Sequence, residues 1–318
     1  MSRALIPLAA LLALAAPALA NDSVAETAAG GLVLRQSRDI DMVSEDLYLS
    51  RLEVRVRYVF RNRSPRPVRT VVAFPMPDRD LAAEEEGDIA WPADFRTRAD
   101  GRAVTMRVER KAILRGADHS ALLRSLGIPI AGRDNDTALY RALDALPRAA
   151  QARLAALGLV EGGRPAWTVK ETWYWEQIFP AGRDLAVEHR YRPGLGGTVM
   201  TALGSREVRE SDYGRRTIAR YCIGQDFIAT VERAARRSGN DYPGYAESWL
   251  SYILTTGANW RSPIGDFRLV VDKGDPRTLV SFCGEGVRRI SPTRFEIRRR
   301  NWRPTRDLHV LFLHPLGG

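Results

Sequence analysis

The chain has 318 residues, a formal net charge of +10, and 27% charged against 45% apolar residues. That length suits one large or two ordinary domains and can bury a real core. Lysine occurs only at 111, 170 and 273, so arginine supplies 45 of the 48 basic residues. The arginines are scattered along alternating segments, the pattern of a solvated face, so no nucleic-acid partner is expected.

Residues 1–20 read as a targeting segment. Arg3 supplies the positive start and Ala4 to Ala16 an apolar run; Ala18-Leu19-Ala20 is a small-x-small cleavage site ahead of Asn21-Asp22. The apolar stretch from Ala4 to Ala20 lies at the short edge of what spans a bilayer, and Pro17 with the A-x-A ending favours cleavage over a retained anchor. The expected location is therefore periplasmic or secreted, in a bacterium, with no transmembrane segment left. Two cysteines remain, Cys222 and Cys283. An even pair in an exported chain is expected to form a disulfide.

Gly30-Gly31 precedes a short first strand, Leu32-Val33-Leu34. Ile40 to Val43 and Leu47 to Leu52 flank a turn-like cluster, Ser44-Glu45-Asp46. The stretch from Arg51 to Pro77 is the organising one. Leu52, Val54, Val56, Tyr58 and Phe60 occupy every second position, with Glu53, Arg55, Arg57 and Arg61 between them. This is a long strand with one buried and one wet face. Ser64, Pro65 and Pro67 turn the chain, and Val68 to Phe74 is predicted to run back as the second arm of the central hairpin of a β-sandwich. A surface loop follows, carrying Glu84-Glu85-Glu86, which read as solvated rather than cation-binding. Phe95 to Arg98 and Ala103 to Val108 about Asp100-Gly101 predict a hairpin with a type I′ turn.

From Asp118 the period changes. Ala121 to Ile128 predicts a short helix, and Thr137 to Leu146 and Ala149 to Leu157 two more, with Pro147 in the first turn of the last. The next block alternates again. Trp167, Val169, Glu171, Trp173 and Trp175 share one strand face; Pro180-Ala181-Gly182 turns the chain; Leu185, Val187, His189 and Tyr191 alternate on the return strand. Gly194 to Thr198, GLGGT, lacks the features of a phosphate-binding loop and reads as a flexible turn. Gln225 to Arg236 is an amphipathic helix. Strands are then expected at Glu247 to Thr255, Asp266 to Asp272, Thr278 to Cys283, Thr293 to Arg299 and Asp307 to Leu313. The predicted fold is mainly β with a helical insertion and two β-sandwich-like blocks. Its divisions are a signal peptide at 1–20, an N-terminal β block at 21–115, the insertion at 116–163 and a C-terminal β block at 164–318.

The chain carries no H-E-x-x-H, G-x-S-x-G, C-x-x-C or Walker sequence. His119, His189, His309 and His314 have no second ligand at metal spacing, so neither a metal nor a cofactor is expected, and no catalytic residue is assigned. One constellation stands out: Glu171 on a tryptophan face. A carboxylate there needs a partner, either His189 on the return strand or an arginine. The bland alternative is a packed aromatic core with a satisfied ion pair; the functional one is an aromatic platform of Trp173, Trp175, Glu171, His189 and Tyr191 that binds a sugar or apolar ligand.

The leader, Asn21-Asp22-Ser23, Gly30-Gly31-Leu32, the Arg57 to Pro77 stretch, Trp173 to Pro193, Tyr252 to Trp260 (YILTTGANW) and Pro263 to Phe267 (PIGDF) together resemble a bacterial exported family, domain of unknown function 4424, across essentially the mature chain. That resemblance implies location and length but no activity. Phe60-Arg61-Asn62 followed by Phe74-Pro75-Met76-Pro77 is also similar, locally, to the vault/inter-α-trypsin domain. The expected function is an exported cell-envelope binding or assembly protein, its partner an envelope protein, lipid or polysaccharide. The alternative is an envelope polysaccharide hydrolase using carboxylates such as Glu171.

Overall fold

Two large sheets and one small one carry the fold in a computed structural model, described over residues 22–28, 31–82, 92–131, 137–239 and 243–316. Residues 1–20, expected to be a leader, and Glu84 to Glu86 lie outside the described residues. The eight-stranded sheet runs, edge to edge, Arg288–Arg289, Arg294–Trp302, Ile264–Asp272, Ile40–Ser50, Val54–Asn62, Asp184–Arg192, Ala93–Ala99 and Arg102–Val104. The seven-stranded sheet runs Ala117–Asp118, Arg107–Leu114, Thr168–Phe179, Val68–Pro75, Ser23–Ala28 and Gly31–Arg35, with Arg79–Asp80 also paired to Thr168–Phe179. A four-stranded sheet runs Gly196–Thr198, Tyr245–Tyr252, Leu308–Pro315 and Leu279–Phe282. Strand Ile264–Asp272 lies parallel to Ile40–Ser50, joining chain segments more than 200 residues apart. Both large sheets draw strands from both sides of the helical insertion.

The fold is mainly β, and the Val54–Asn62 strand has the expected two faces: Val54, Val56, Tyr58 and Phe60 are buried, and Arg55 and Arg57 exposed. Its predicted hairpin partner is different. Val54–Asn62 pairs with Ile40–Ser50 and Asp184–Arg192, whereas Val68–Pro75 joins the other sheet. The turn between them is an arch across the sandwich. The same holds for Thr168–Phe179 and Asp184–Arg192, which lie in opposite sheets. Asn62 explains both corners. Its Nδ2 donates to the carbonyls of Arg66 and Phe179, its Oδ1 accepts from Ser64 N, and its own carbonyl accepts from Gly182 N. Pro65 and Pro67 offer no backbone donor, so a side chain supplies the bonds that a hairpin ladder would have made.

Other details also differ. Leu52 is 77% exposed in the turn before the strand rather than in its buried row. Ile40–Ser50 is one strand; Ser44-Glu45-Asp46 is not a turn but follows a bulge between Met42 and Ser44. Pro147 caps the third helix from just outside it. Gly196–Thr198 is not a loose turn but an edge strand, with Trp249 lying so close over Gly196 that a Cβ there would meet its indole. The Asp100-Gly101 hairpin forms as expected, both residues at positive φ, 46° and 77°. Its second arm then divides: Arg102–Val104 stays in the eight-stranded sheet and Arg107–Leu114 enters the other.

The main core fills the space between the large sheets and one face of the four-stranded sheet. Leu308–Pro315 is buried on both faces, with Val310 and Phe312 in the main core and Leu311 and Leu313 against the helices beyond. That is why its sequence runs apolar without alternating. The insertion builds a second core, in which Leu123, Leu139, Leu143 and Leu154 close over Trp167 and Val169. On the outer face of the eight-stranded sheet the arginines are paired with acids across strands. Arg57 meets Glu188 and Arg61 meets Asp184, each pair directly opposite in register. Arg268, Arg288 and Arg298 converge on Glu296.

Candidate functional site

Sheet register decides where the aromatic constellation sits. Glu171 lies directly opposite Arg110, whose Nε donates to Oε2 at 2.6 Å. Trp173, two residues on and on the same face, donates its indole N–H to Oε1 at 2.8 Å. Both carboxylate oxygens are thus engaged and the side chain is 3% exposed. The partner is an arginine and not His189, which lies on a strand of the other sheet. Opposite His189 in register is Thr97, and its Nδ1 lies 2.8 Å from Thr97 Oγ1. His189 Nε2 lies 3.0 Å from Asp22 Oδ1. Burial raises the Asp22 carboxyl above its ordinary range, and His189 opposes that shift.

The aromatic residues pack around this node. Phe95 stacks between Trp173 at 4.9 Å and Tyr191 at 5.0 Å. His189 lies edge-on to Trp175 and Tyr58. The Tyr58 and Tyr252 hydroxyls bond at 3.0 Å, and burial pushes both phenols, with that of Tyr191, above their usual range. Trp175, His189, Tyr191 and Glu171 are all buried, and Trp173 is half-buried against the same core.

An open cleft lies elsewhere. A cleft of about 740 Å³ lies between the Val160–Ala166 turn of the insertion and the helix Asp212–Tyr221, with the strand Tyr245–Tyr252 behind them. Arg164, Arg216 and Arg220 bring positive charge to it and Glu161 negative charge; Tyr213, Tyr221 and Trp249 supply rings; Glu247, buried, also lines it. Burial raises the Glu247 carboxyl, against a hydrogen bond that Thr201 Oγ1 donates to it.

Local features fix these walls. Ser211 caps the helix by accepting from Gly214 N at 3.1 Å. Gly214 lets the helix cross Arg206–Glu210 at backbone contact: a Cβ there would lie 2.0 Å from the Val208 carbonyl oxygen. At the other end Cys222 caps the helix in the left-handed region, at φ 51°, and is bonded to Cys283, with Cα atoms 5.0 Å apart. Ser281 Oγ donates to the Tyr221 carbonyl at 2.9 Å beside it. The disulfide therefore ties the helical wall to the four-stranded sheet that carries Glu247 and Trp249. The sequence signal for this helix is mixed. Ser211-Asp212 is a proper start signal, but Gly214 and the arginine pairs mask the apolar period of Ile218 and Tyr221.

These features define a mainly β protein built on two large sheets and a four-stranded one, with a helical insertion, a disulfide-pinned helix and a cleft lined by arginines, glutamates and rings. The chain belongs to the family Domain of unknown function (DUF4424), whose model matches residues 20–311. The local likeness to the vault/inter-α-trypsin domain finds no support alongside it. A search of curated proteins matched none. Among solved structures, the chain is similar to a "putative nutrient binding protein" of Legionella pneumophila at 17% identity and TM-score 0.45, over 87% of this chain and 68% of that one. It is also similar to an M1 zinc metallopeptidase of Deinococcus radiodurans at 10% identity and TM-score 0.28, over 87% of this chain and 43% of that one. The chain thus spans less than half of the metallopeptidase. Among the described residues no helix is long and apolar enough to cross a membrane.

Proposed function

We propose that this is an exported cell-envelope binding protein, and that its ligand is an acidic saccharide of the envelope held in the cleft beside helix Asp212–Tyr221. The carrying observation is the cleft's composition: three arginines, in excess over Glu161 and Glu247, with three aromatic side chains around about 740 Å³. Guanidinium groups recognise carboxylate or phosphate in two-point contacts, and aromatic faces pack against sugar rings. Pockets of this size take small ligands or a chain segment. Export is supported by the leader pattern and the disulfide, which needs an oxidising compartment. The engaged state of Glu171, with Arg110 and Trp173 on its two oxygens, favours binding over hydrolysis by that residue.

The test is calorimetric titration of the mature protein with anionic and neutral envelope oligosaccharides. Binding of the anionic set, weakened about tenfold or more by Arg216→Glu and by Trp249→Ala, is the expected result. Equal affinity for neutral sugars, or no effect of either substitution, would overturn it.

A further inference from the structure

Glu247 sits where its surroundings do not favour an acid. It lies on the helix-facing side of strand Tyr245–Tyr252, between Tyr245 and Trp249, with Thr198 and Leu313 opposite it in register. Tyr245, Trp249 and Leu313 all pack in the apolar group that includes Ile218 and Tyr221 of helix Asp212–Tyr221. Glu247 is 6% exposed, and Thr201 beside it has no exposed surface. Thr201 N donates to the Tyr245 carbonyl at 2.7 Å, and its Oγ1 accepts from Leu203 N at 3.2 Å, which leaves the hydroxyl proton for Glu247 Oε1. Among the described residues Glu247 Oε2 has no hydrogen-bond partner, and the side chain lines the cleft.

If Thr201 needed only an acceptor, glutamine would supply one with no charge to take out of water. The charged groups around the same cleft are Glu161 and Arg164 from the insertion and Arg216 and Arg220 from the helix, with the phenols of Tyr213 and Tyr221. Among the described residues none of them pairs with Glu247. Burial therefore favours the neutral carboxyl, and the bond from Thr201 opposes that shift without reversing it. With Oε1 accepting, the proton of the neutral form belongs on Oε2.

We propose that Glu247 is the specificity-determining residue of the cleft, donating a hydrogen bond from Oε2 to an oxygen of the anionic group that the arginines hold. A neutral carboxyl has one donor; an ionised one has only acceptors and repels an anion. The cleft therefore takes its acidic ligand at low pH and releases it as pH rises. Affinity is full while the carboxyl is neutral and is lost as pH rises through its value in the folded protein, which burial sets above the ordinary 4.5. This inference deepens the cleft reading and rests on it.

The probe is a trisaccharide of galacturonic acid, whose carboxylates stay ionised above about pH 5, titrated by calorimetry at pH 5 and at pH 8. Wild type should bind at least about tenfold more tightly at pH 5. Glu247→Gln, which keeps a donor at either pH, should bind equally at both. Glu247→Leu, which keeps none, should bind about tenfold more weakly than wild type at pH 5. Without ligand, Glu247→Gln should melt several degrees above wild type at pH 8 and by a smaller margin at pH 5, because only wild type must bury a charge as pH rises. A melting margin equal at both pH values, a wild type that binds equally at both, or a pH dependence that Glu247→Gln leaves unchanged would overturn this inference alone and leave the cleft reading standing. Wild type that binds the probe at neither pH would overturn both.

Discussion

Replacing Cys222 and Cys283 together by Ser removes the one covalent tie between helix Asp212–Tyr221 and the strand Leu279–Phe282. The bond spans 61 residues of sequence. In the chain-entropy treatment a loop of that length is worth about 4 kcal/mol. Little else holds the joint: Ser281 donates to the Tyr221 carbonyl, and Tyr221 and Ile223 pack with Leu311 and Leu313. For a chain of about 300 residues 1 kcal/mol shifts the melting temperature by roughly 2 °C, so the double variant should melt roughly 6–8 °C lower. Wild type in dithiothreitol should behave the same way, and the reductant should not affect the variant. The loss should fall on the helical wall of the cleft first, with faster amide exchange through 212–223 than in the large sheets. Non-reducing mass spectrometry of the protein should find both thiols protected from alkylation. Two free thiols, or a double variant melting within a degree of wild type, would refute the reasoning.

Gly214→Ala should destabilise by about 2 kcal/mol or more in urea, although alanine is the better helix former, because its Cβ would strike the Val208 carbonyl, which cannot move aside. Arg110→Met should cost about 3–5 kcal/mol by leaving the Glu171 carboxylate buried and unpaired, while the double variant with Glu171→Leu should recover most of that; a double variant as unstable as the single would contradict the pairing. Glu296 is held down at about 2 by hydrogen bonds from Arg298, Arg268 and Arg288, in that order of size with burial opposing. A lowered carboxyl stabilises above its unfolded value of 4.5, and that stability is lost as pH falls towards 2. Since its arginine partners face solvent, about 1–2 kcal/mol is expected, seen as a gap between wild type and Glu296→Gln at pH 6 that closes by pH 2 in denaturant titrations.

Much of the architecture was legible along the chain, because strand alternation, turn chemistry and helical period are local. The buried row Val54 to Phe60, the Asp100-Gly101 hairpin, the three insertion helices and the helix Gln225–Ser238 all follow from neighbours within a few residues. The cysteine pairing was legible for a chemical reason, since a chain with two cysteines has one way to join them within itself. Sheet membership was not. Whether a Pro-rich turn makes a hairpin or an arch depends on what meets the freed backbone groups, and at Asn62 those partners are 117 residues away at Phe179 and 120 residues away at Gly182. The partner of Glu171 likewise depended on register: Arg110 and His189 were equally available in the sequence, and only the pairing of Thr168–Phe179 with Arg107–Leu114 brought one to the carboxylate and sent the other to Asp22. The cleft was least legible of all. Its arginines, rings and Glu247 come from the insertion, a masked helix and a distant strand, and they converge only because Gly214, Gly196 and the disulfide permit close approach that no single stretch encodes.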